Sequence, residues 1–301
     1  MTPSLRKGCL LAAIFSVTFA AQAKSPSVEG WLTSADGSQR LAPMAGIVAI
    51  QLPAGQQADI IVDPKQRFQR MAGFGASITD ATAWLNQTRM TEKARNDLMR
   101  ELFSPRDGIG FSVTRITIGA SDFSQKHYTY ADTPGNPVAD IAPAREHLIP
   151  TLKTMRKINP GLQVIATPWS APAWMKTSNS LIKGRLKPEH YGSFARYLVS
   201  YTQAMRKAGA PVDILTIQNE PHFEPDNYPG MRVEPAERAA FIASHLGPLM
   251  RRSLPGTKLL DWDHNWDQPE SPTTVLSDAK AAAFIDGVAW HCYAGDVAAQ
   301  S

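Results

Sequence analysis

The sequence predicts an α/β chain folded as a (β/α)8 barrel that is incomplete, with about six of the eight units present. Three observations predict it. From Arg67 onward, short β-rich runs alternate with longer segments of helical period, the pattern of βα units around a parallel sheet. Polar and aromatic residues gather where the β-rich runs end, in Thr167-Pro168-Trp169, Gln218-Asn219-Glu220, Asp261-Trp262-Asp263-His264 and Trp290-His291-Cys292-Tyr293. A barrel places its chemistry at that end of its strands. Finally, Gly73-Phe74-Gly75 does not complete the G-x-G-x-x-G of an open doubly wound sheet, which is the competing architecture.

Residues 1–23 read as a secretory signal peptide. Arg6 and Lys7 precede an apolar run from Cys9 to Ala21, and Ala21-Gln22-Ala23 has the small-x-small cleavage pattern. The run is shorter than the roughly 18 residues of a membrane span, so the reading is an exported protein, periplasmic or extracellular, without stable membrane insertion. From 24 to 66 the chain is polar, punctuated by Gly, Pro and Ser, with one apolar run at Gly46 to Leu52, and small strands are expected there.

Within 67–301 the expected strands are Met71 to Ala76, Ser112 to Ile118, Gln163 to Pro168, Ile214 to Gln218, Lys258 to Asp263 and Val288 to His291. Between them helices are expected near Thr91 to Phe103, Ala144 to Lys157, Pro188 to Ala208, Pro235 to Arg252 and Pro272 to Ala283. Pro188, Pro235 and Pro272 serve as first-turn prolines, because a helix start needs no N–H there.

Composition narrows the function classes. The chain has 301 residues, 43% hydrophobic and 19% charged, enough to bury a sizeable core. A net charge of +4 comes from Lys and Arg that are scattered rather than clustered, so no nucleic-acid partner is expected. Of the two cysteines, Cys9 leaves with the signal and Cys292 stands alone, which excludes an internal disulfide and a cysteine metal site. The seven histidines form no H-E-x-x-H pair and no clustered ligand set, so no metal or cofactor is expected. There is no G-x-S-x-G elbow either.

The residues left to carry chemistry lie at strand ends. Glu220 closes the run Asp213-Ile-Leu-Thr-Ile-Gln-Asn-Glu-Pro, where a partly desolvated carboxyl stays protonated and suits general acid work, with Asn219 beside it for a sugar hydroxyl. The alternative is that Asn219-Glu220-Pro221 caps a loop. Trp169 and Trp174 share one strand-end loop; Trp169 suits stacking on a flat ring, and Trp174 suits an aromatic cluster beneath the loop. Asp80 follows the first strand as a hydroxyl ligand, unless Thr79 or Asp80 is a helix N-cap. His291 and Tyr293 are two apart and face one side of the sixth strand, with a core role as the alternative for His291. His264 is a weaker candidate.

Taken together, the motifs resemble glycoside hydrolase family 30, especially its glucosylceramidase-like members. The resemblance runs from Gln69 to Asp296 and rests on Gly73-Phe74-Gly75-Ala76-Ser77-Ile78-Thr79-Asp80, Ser121-Asp122-Phe123-Ser124 with Tyr128-Thr129-Tyr130-Ala131-Asp132-Thr133-Pro134, Pro168 to Thr177, Asn219-Glu220-Pro221 and His291-Cys292-Tyr293. It implies a (β/α)8 barrel beside a β-sandwich, to which 24–66 contributes N-terminal strands. It also implies that Glu220 is the acid/base of a retaining β-glycosidase, that Asn219 holds the 2-hydroxyl, and that Asp80, Trp169, His291 and Tyr293 line the sugar subsite.

The family's nucleophile is a glutamate ending strand seven, and none is expected within 1–301; Glu224, Asp226, Asp263 and Asp296 do not sit in a matching motif. Retaining chemistry needs two carboxyls about 5 Å apart. The chain by itself is therefore expected to be inactive and, with open sheet edges, poorly soluble or partly unfolded. Expected partners are a β-linked glucoside, glycolipid or oligosaccharide, with no protein partner evident. The competing readings are the same mechanism acting on a β-1,6-glucan, and a carbohydrate-binding remnant without turnover.

Overall fold

A computed structural model describes residues 28–47, 50 and 52–301. The signal-peptide reading lies outside the described residues. The chain divides into two compact units, Met1–Gln69 and Arg70–Ser301. In the first, β1 (Gly30–Leu32) pairs antiparallel with β2 (Ala42–Met44), with Trp31 opposite Pro43. Asp36 organises the connection by accepting from Ser38 N and from the hydroxyls of Ser34 and Ser38. Small strands were expected throughout 24–66, but this hairpin is the whole of the strand structure among the described residues of the unit. Ile60, Ile61 and Val62 are more than four-fifths exposed and find no ladder to join. The expected apolar run at 46–52 includes positions 48, 49 and 51, outside the described residues.

The second unit is built on a curved parallel sheet: β3 (Gly75–Ser77), β4 (Val113–Ile118), β5 (Gln163–Pro168), β6 (Ile214–Thr216), β7 (Lys258–Asn265) and β8 (Gly287–His291). Each strand pairs with the next in chain order. A doubly wound sheet reverses its strand order at a switch point, whereas this order runs on without reversal, so the half-barrel stands and the competing architecture does not. The first strand is shorter and later than the expected Met71 to Ala76. Pairing begins only at Gly75, where a Cβ would sit 1.5 Å from the Val113 carbonyl oxygen, so only glycine permits the approach to β4. Met71 and Phe74 stay exposed and unpaired.

Helices pack on one side of the sheet and bury the core against it. They are α1 (Asp80–Thr88), α2 (Glu92–Phe103), α3 (Ala142–Glu146), α4 (Leu148–Ile158), α5 (Tyr191–Lys207), α6 (Pro235–Phe241), α7 (Gly247–Ser253), α8 (Glu270–Ser277) and α9 (Ala279–Ala282). The first was foreseen only as the alternative that Thr79 or Asp80 is a helix N-cap; Thr79 caps it, its hydroxyl accepting from Thr82 N at 3.2 Å. The segment Ala144 to Lys157 breaks at His147 because Pro150 supplies no N–H to the preceding turn. Similarly, Pro248 interrupts the expected Pro235 to Arg252 helix, and a π-helical turn at Ile242–Leu246 absorbs the missing bond. Asp278 separates α8 from α9 by capping the latter.

On α5, Phe194, Tyr197, Leu198, Tyr201 and Met205 recur at helical spacing and are all fully buried. They meet Val164, Ala166 and Leu215 of the sheet in one continuous core. Each large side chain so buried contributes about 1.5–3 kcal/mol, which fixes the strands whose far ends carry the site. No helix among the described residues is long and apolar enough to cross a membrane.

Candidate active site

A cavity of about 450 Å³ opens at the C-terminal ends of the strands, lined by Arg115, Asp122, Phe123, Trp169, Asn219, Glu220, Tyr228, His264, His291 and Tyr293 among others. The strands converge on it from successive positions, so residues far apart in sequence meet. Their geometry depends on an irregularity in β7. Trp262 and Asp263 have positive φ, 75° and 54°, and between Trp262 and His264 the register against β8 slips. This is a β-bulge. Residues two apart on a regular strand share a face, yet Asp261 and Asp263 point to opposite sides. Asp261 is fully buried against Arg238 of α6, whose Nε donates to its Oδ1 at 2.9 Å. Asp263 turns inward, where its Oδ2 accepts from Arg115 (3.0 Å), Thr167 (3.0 Å) and Thr216 (2.7 Å).

Glu220 sits just beyond β6 with φ 49°, and its backbone N–H donates to the Asp263 carbonyl at 2.9 Å. Its Oε1 lies 2.9 Å from His291 Nδ1, and His291 Nε2 lies 2.8 Å from Asp263 Oδ1. The imidazole therefore bridges two carboxylates. Burial by itself would lower its pKa, but the hydrogen bonds to Asp263 and Glu220 and the charge of Asp263 push it up to about 9. Asp263 shows the reverse balance: burial would raise it, while Arg115, His291 and Thr216 hold it well below the usual carboxylate range. Burial lowers His264.

Asn219 lines the cavity beside Glu220, as its sequence position suggests. Arg115 donates to Asn219 Oδ1 at 2.8 Å and lies 4.8 Å from the Trp169 ring centroid, so one guanidinium orients Asn219, Asp263 and Trp169 together. With Oδ1 taken, Asn219 has its amide NH2 to offer a hydroxyl. Tyr293 stands at the mouth, 83% exposed, its ring 6.0 Å from that of His291. Trp174 packs on the core and donates Nε1–H to the Ala131 carbonyl, away from the cavity.

Two expectations need correction. Asp80 does not line this cavity: Thr79 is the N-cap, which places Asp80 in the first turn of α1, where it accepts from Ser124 Oγ at 2.7 Å and faces a neighbouring cavity with Trp84 and Tyr128. His291 lines the cavity, with each ring nitrogen within hydrogen-bond distance of a carboxylate. The histidines also do cluster: Glu220, His264 and His291 offer donor atoms all within 4.8 Å of one another. Within it, Glu220 and Asp263 lie within hydrogen-bond distance of the two nitrogens of His291.

Sequence reading missed Arg115, Asp122, Asp263 and Tyr228. Three of them left a trace: Arg115 is a lone charge inside an apolar strand, Asp122 lies in the quoted Ser121-Asp122-Phe123-Ser124, and Asp263 lies in the strand-end run Asp261-Trp262-Asp263-His264. The other carboxylates considered are occupied elsewhere. Glu224 accepts from Gly184 N, Asp226 pairs with Lys183, and Asp296 caps the turn at Ala298.

Comparison with known proteins follows the same outline. The model of the glycosyl hydrolase family 30 TIM-barrel domain matches residues 71–301. The endo-1,6-beta-D-glucanase neg1 of Aspergillus fumigatus is 38% identical over 250 residues, covering 76% of this chain and 50% of that protein. The lysosomal acid glucosylceramidase of Mus musculus is 32% identical over 251 residues, covering 78% of this chain and 48% of that one. A solved endo-beta1,6-glucanase superposes with a TM-score of 0.82 at 33% identity, over 89% of this chain and 61% of its own. The chain spans about half the length of the curated relatives it matches. A half-barrel in chain order, chemistry gathered at the strand ends, and a family match across the whole second unit lead to one assignment: this chain belongs to glycosyl hydrolase family 30.

Proposed function

We propose that the protein to which this chain belongs is a retaining β-glycosidase with Glu220 as its acid/base residue. The observation that carries the reading is the placement of Glu220: a strand-end carboxyl on the cavity wall, held by His291 at 2.9 Å. In the first step Glu220 gives a proton to the leaving glycosidic oxygen while a second carboxylate attacks the anomeric carbon; in the second it takes a proton from the water that releases the sugar. That second carboxylate is the strand-seven glutamate of the family, which residues 1–301 do not supply. Asn219 and Asp122 hold sugar hydroxyls, and Trp169 gives the ring an apolar face.

For substrate we favour a β-1,6-linked glucan over glucosylceramide, because the relative of higher identity is named for the former, 38% against 32%. This reverses the order drawn from the motifs alone. The basic and apolar N-terminal residues support export to the periplasm or beyond. The test is to digest a β-1,6-glucan with the full-length protein and follow the anomeric proton of the product by NMR. The β-anomer should form first and then mutarotate. Release of the α-anomer, or turnover of glucosylceramide without turnover of the glucan, contradicts the mechanism or the substrate respectively.

A further inference from the structure

We propose that Asp263 is a positioning residue that holds His291 against Glu220, so that this pair stores the proton passed to the leaving group. The inference deepens the acid/base reading above and rests on it. The bulge in β7 turns Asp263 inward, and three donors fix its Oδ2, leaving Oδ1 aimed at His291 Nε2 at 2.8 Å. A second tie makes the arrangement rigid: the Asp263 carbonyl accepts the Glu220 N–H. Asp263 thus sets both ends of the His291 to Glu220 hydrogen bond.

The step balances. As the glycosidic C–O bond breaks toward oxygen, Glu220 delivers its proton to that oxygen, and the Nδ1–H proton of His291 moves to Glu220 Oε1. His291 is left neutral, with its Nε2–H still donated to Asp263. When water attacks the glycosyl-enzyme, Glu220 takes the water proton and Nδ1 is protonated again. The groups facing the imidazole agree with this: Glu220 beyond β6, Asp263 and His264 on β7, Arg115 on β4, and Tyr293 beside it. The Asp263 anion and the Glu220 carboxyl flank the ring directly, and Arg115 is the opposing cation, itself paired with Asp263. His264 stands edge-on, its ring centroid 6.3 Å away, and burial disfavours its charged form.

The experiment is an imidazole 15N titration by NMR on full-length protein labelled at histidine, with the His291 signals assigned through His291→Asn. In the unsubstituted protein both nitrogens of His291 should stay protonated through neutral pH, with a midpoint near 9. In Asp263→Asn that midpoint should fall by at least one pH unit, and the alkaline limb of kcat/KM should move down with it. An unchanged midpoint in folded Asp263→Asn overturns the proposal. So does a midpoint at or below about 6.5 in the unsubstituted protein, the ordinary histidine value, and that measurement decides the matter if Asp263→Asn does not fold. The titration needs no turnover. An Asp263-dependent midpoint without hydrolysis therefore overturns the glycosidase reading and leaves the coupling, whereas hydrolysis with an Asp263-independent midpoint does the opposite.

Discussion

Glu220, Trp262 and Asp263 share an uncommon backbone feature, positive φ at residues other than glycine. Left-handed geometry costs such residues of order 1–3 kcal/mol, and it persists where surrounding contacts enforce it. Here the enforcing contacts are the Glu220 N–H bond to the Asp263 carbonyl and the buried Arg238 to Asp261 pair one residue earlier than Trp262. The gain is that two consecutive acidic positions on one strand serve different layers, Asp261 the helices and Asp263 the cavity. Period-2 reading of a strand cannot foresee this, since a bulge inverts every side chain that follows it. Hence Glu220, Asn219 and Trp169 were legible as cavity residues, because their polar or aromatic character falls at the ends of regular strands, while the role of Asp263 was not. The charge on His291 also sets a stability trend. Its pKa is raised from 6.5 to about 9 in the folded state, so the unfolded chain binds fewer protons between those values and stability falls as pH rises. The contribution is complete below about 6.5 and lost above about 9. Thermal melts of the full-length protein at pH 6 and pH 9.5 should show a drop in Tm that His291→Asn reduces; an equal drop in both proteins contradicts the assignment.

Among the elements, sequence reading placed five strands within a residue or two and failed at the first, where exposed Phe74 and Met71 mimic a buried run. Helix breaks were visible as Pro150 and Pro248 but were read through, because apolar spacing continued on both sides of each. Nothing local signalled the joint between the two loops that follow β5 and β6. Lys176 is fully buried, and its Nζ donates to Ser170 Oγ, the Leu181 carbonyl and the Gly230 carbonyl, all between 2.8 and 2.9 Å. Burial pulls its pKa down to about 7, so directed hydrogen bonds rather than a full charge hold the loops above that pH. Lys176→Met should leave those acceptors unsatisfied and cost about 1–3 kcal/mol, measured by denaturant unfolding of the full-length protein. Amide exchange should speed up in 169–187 and 221–231; exchange unchanged in both loops would show that Lys176 does not join them.

At the scale of the molecule, the sheet runs from β3 to β8 in chain order, and those two strands form its edges. His291 lies on the β8 edge, so its contacts with Glu220 and Asp263 tie that edge strand to β6 and β7. On the proposed reading, these residues form the acid/base wall of the site. Much of that wall is complete: Arg115, Asn219, Glu220, Asp263 and His291 satisfy one another. The measurement that tests the account most directly compares Glu220→Gln with the unsubstituted full-length protein on two substrates, a β-1,6-glucan and an aryl β-glucoside with a good leaving group. Loss of a general acid lowers kcat on the glucan by about 10²–10⁴-fold and affects release of the good leaving group far less in the first step. Equal losses on both substrates, or no loss on the glucan, would show that Glu220 is not the acid.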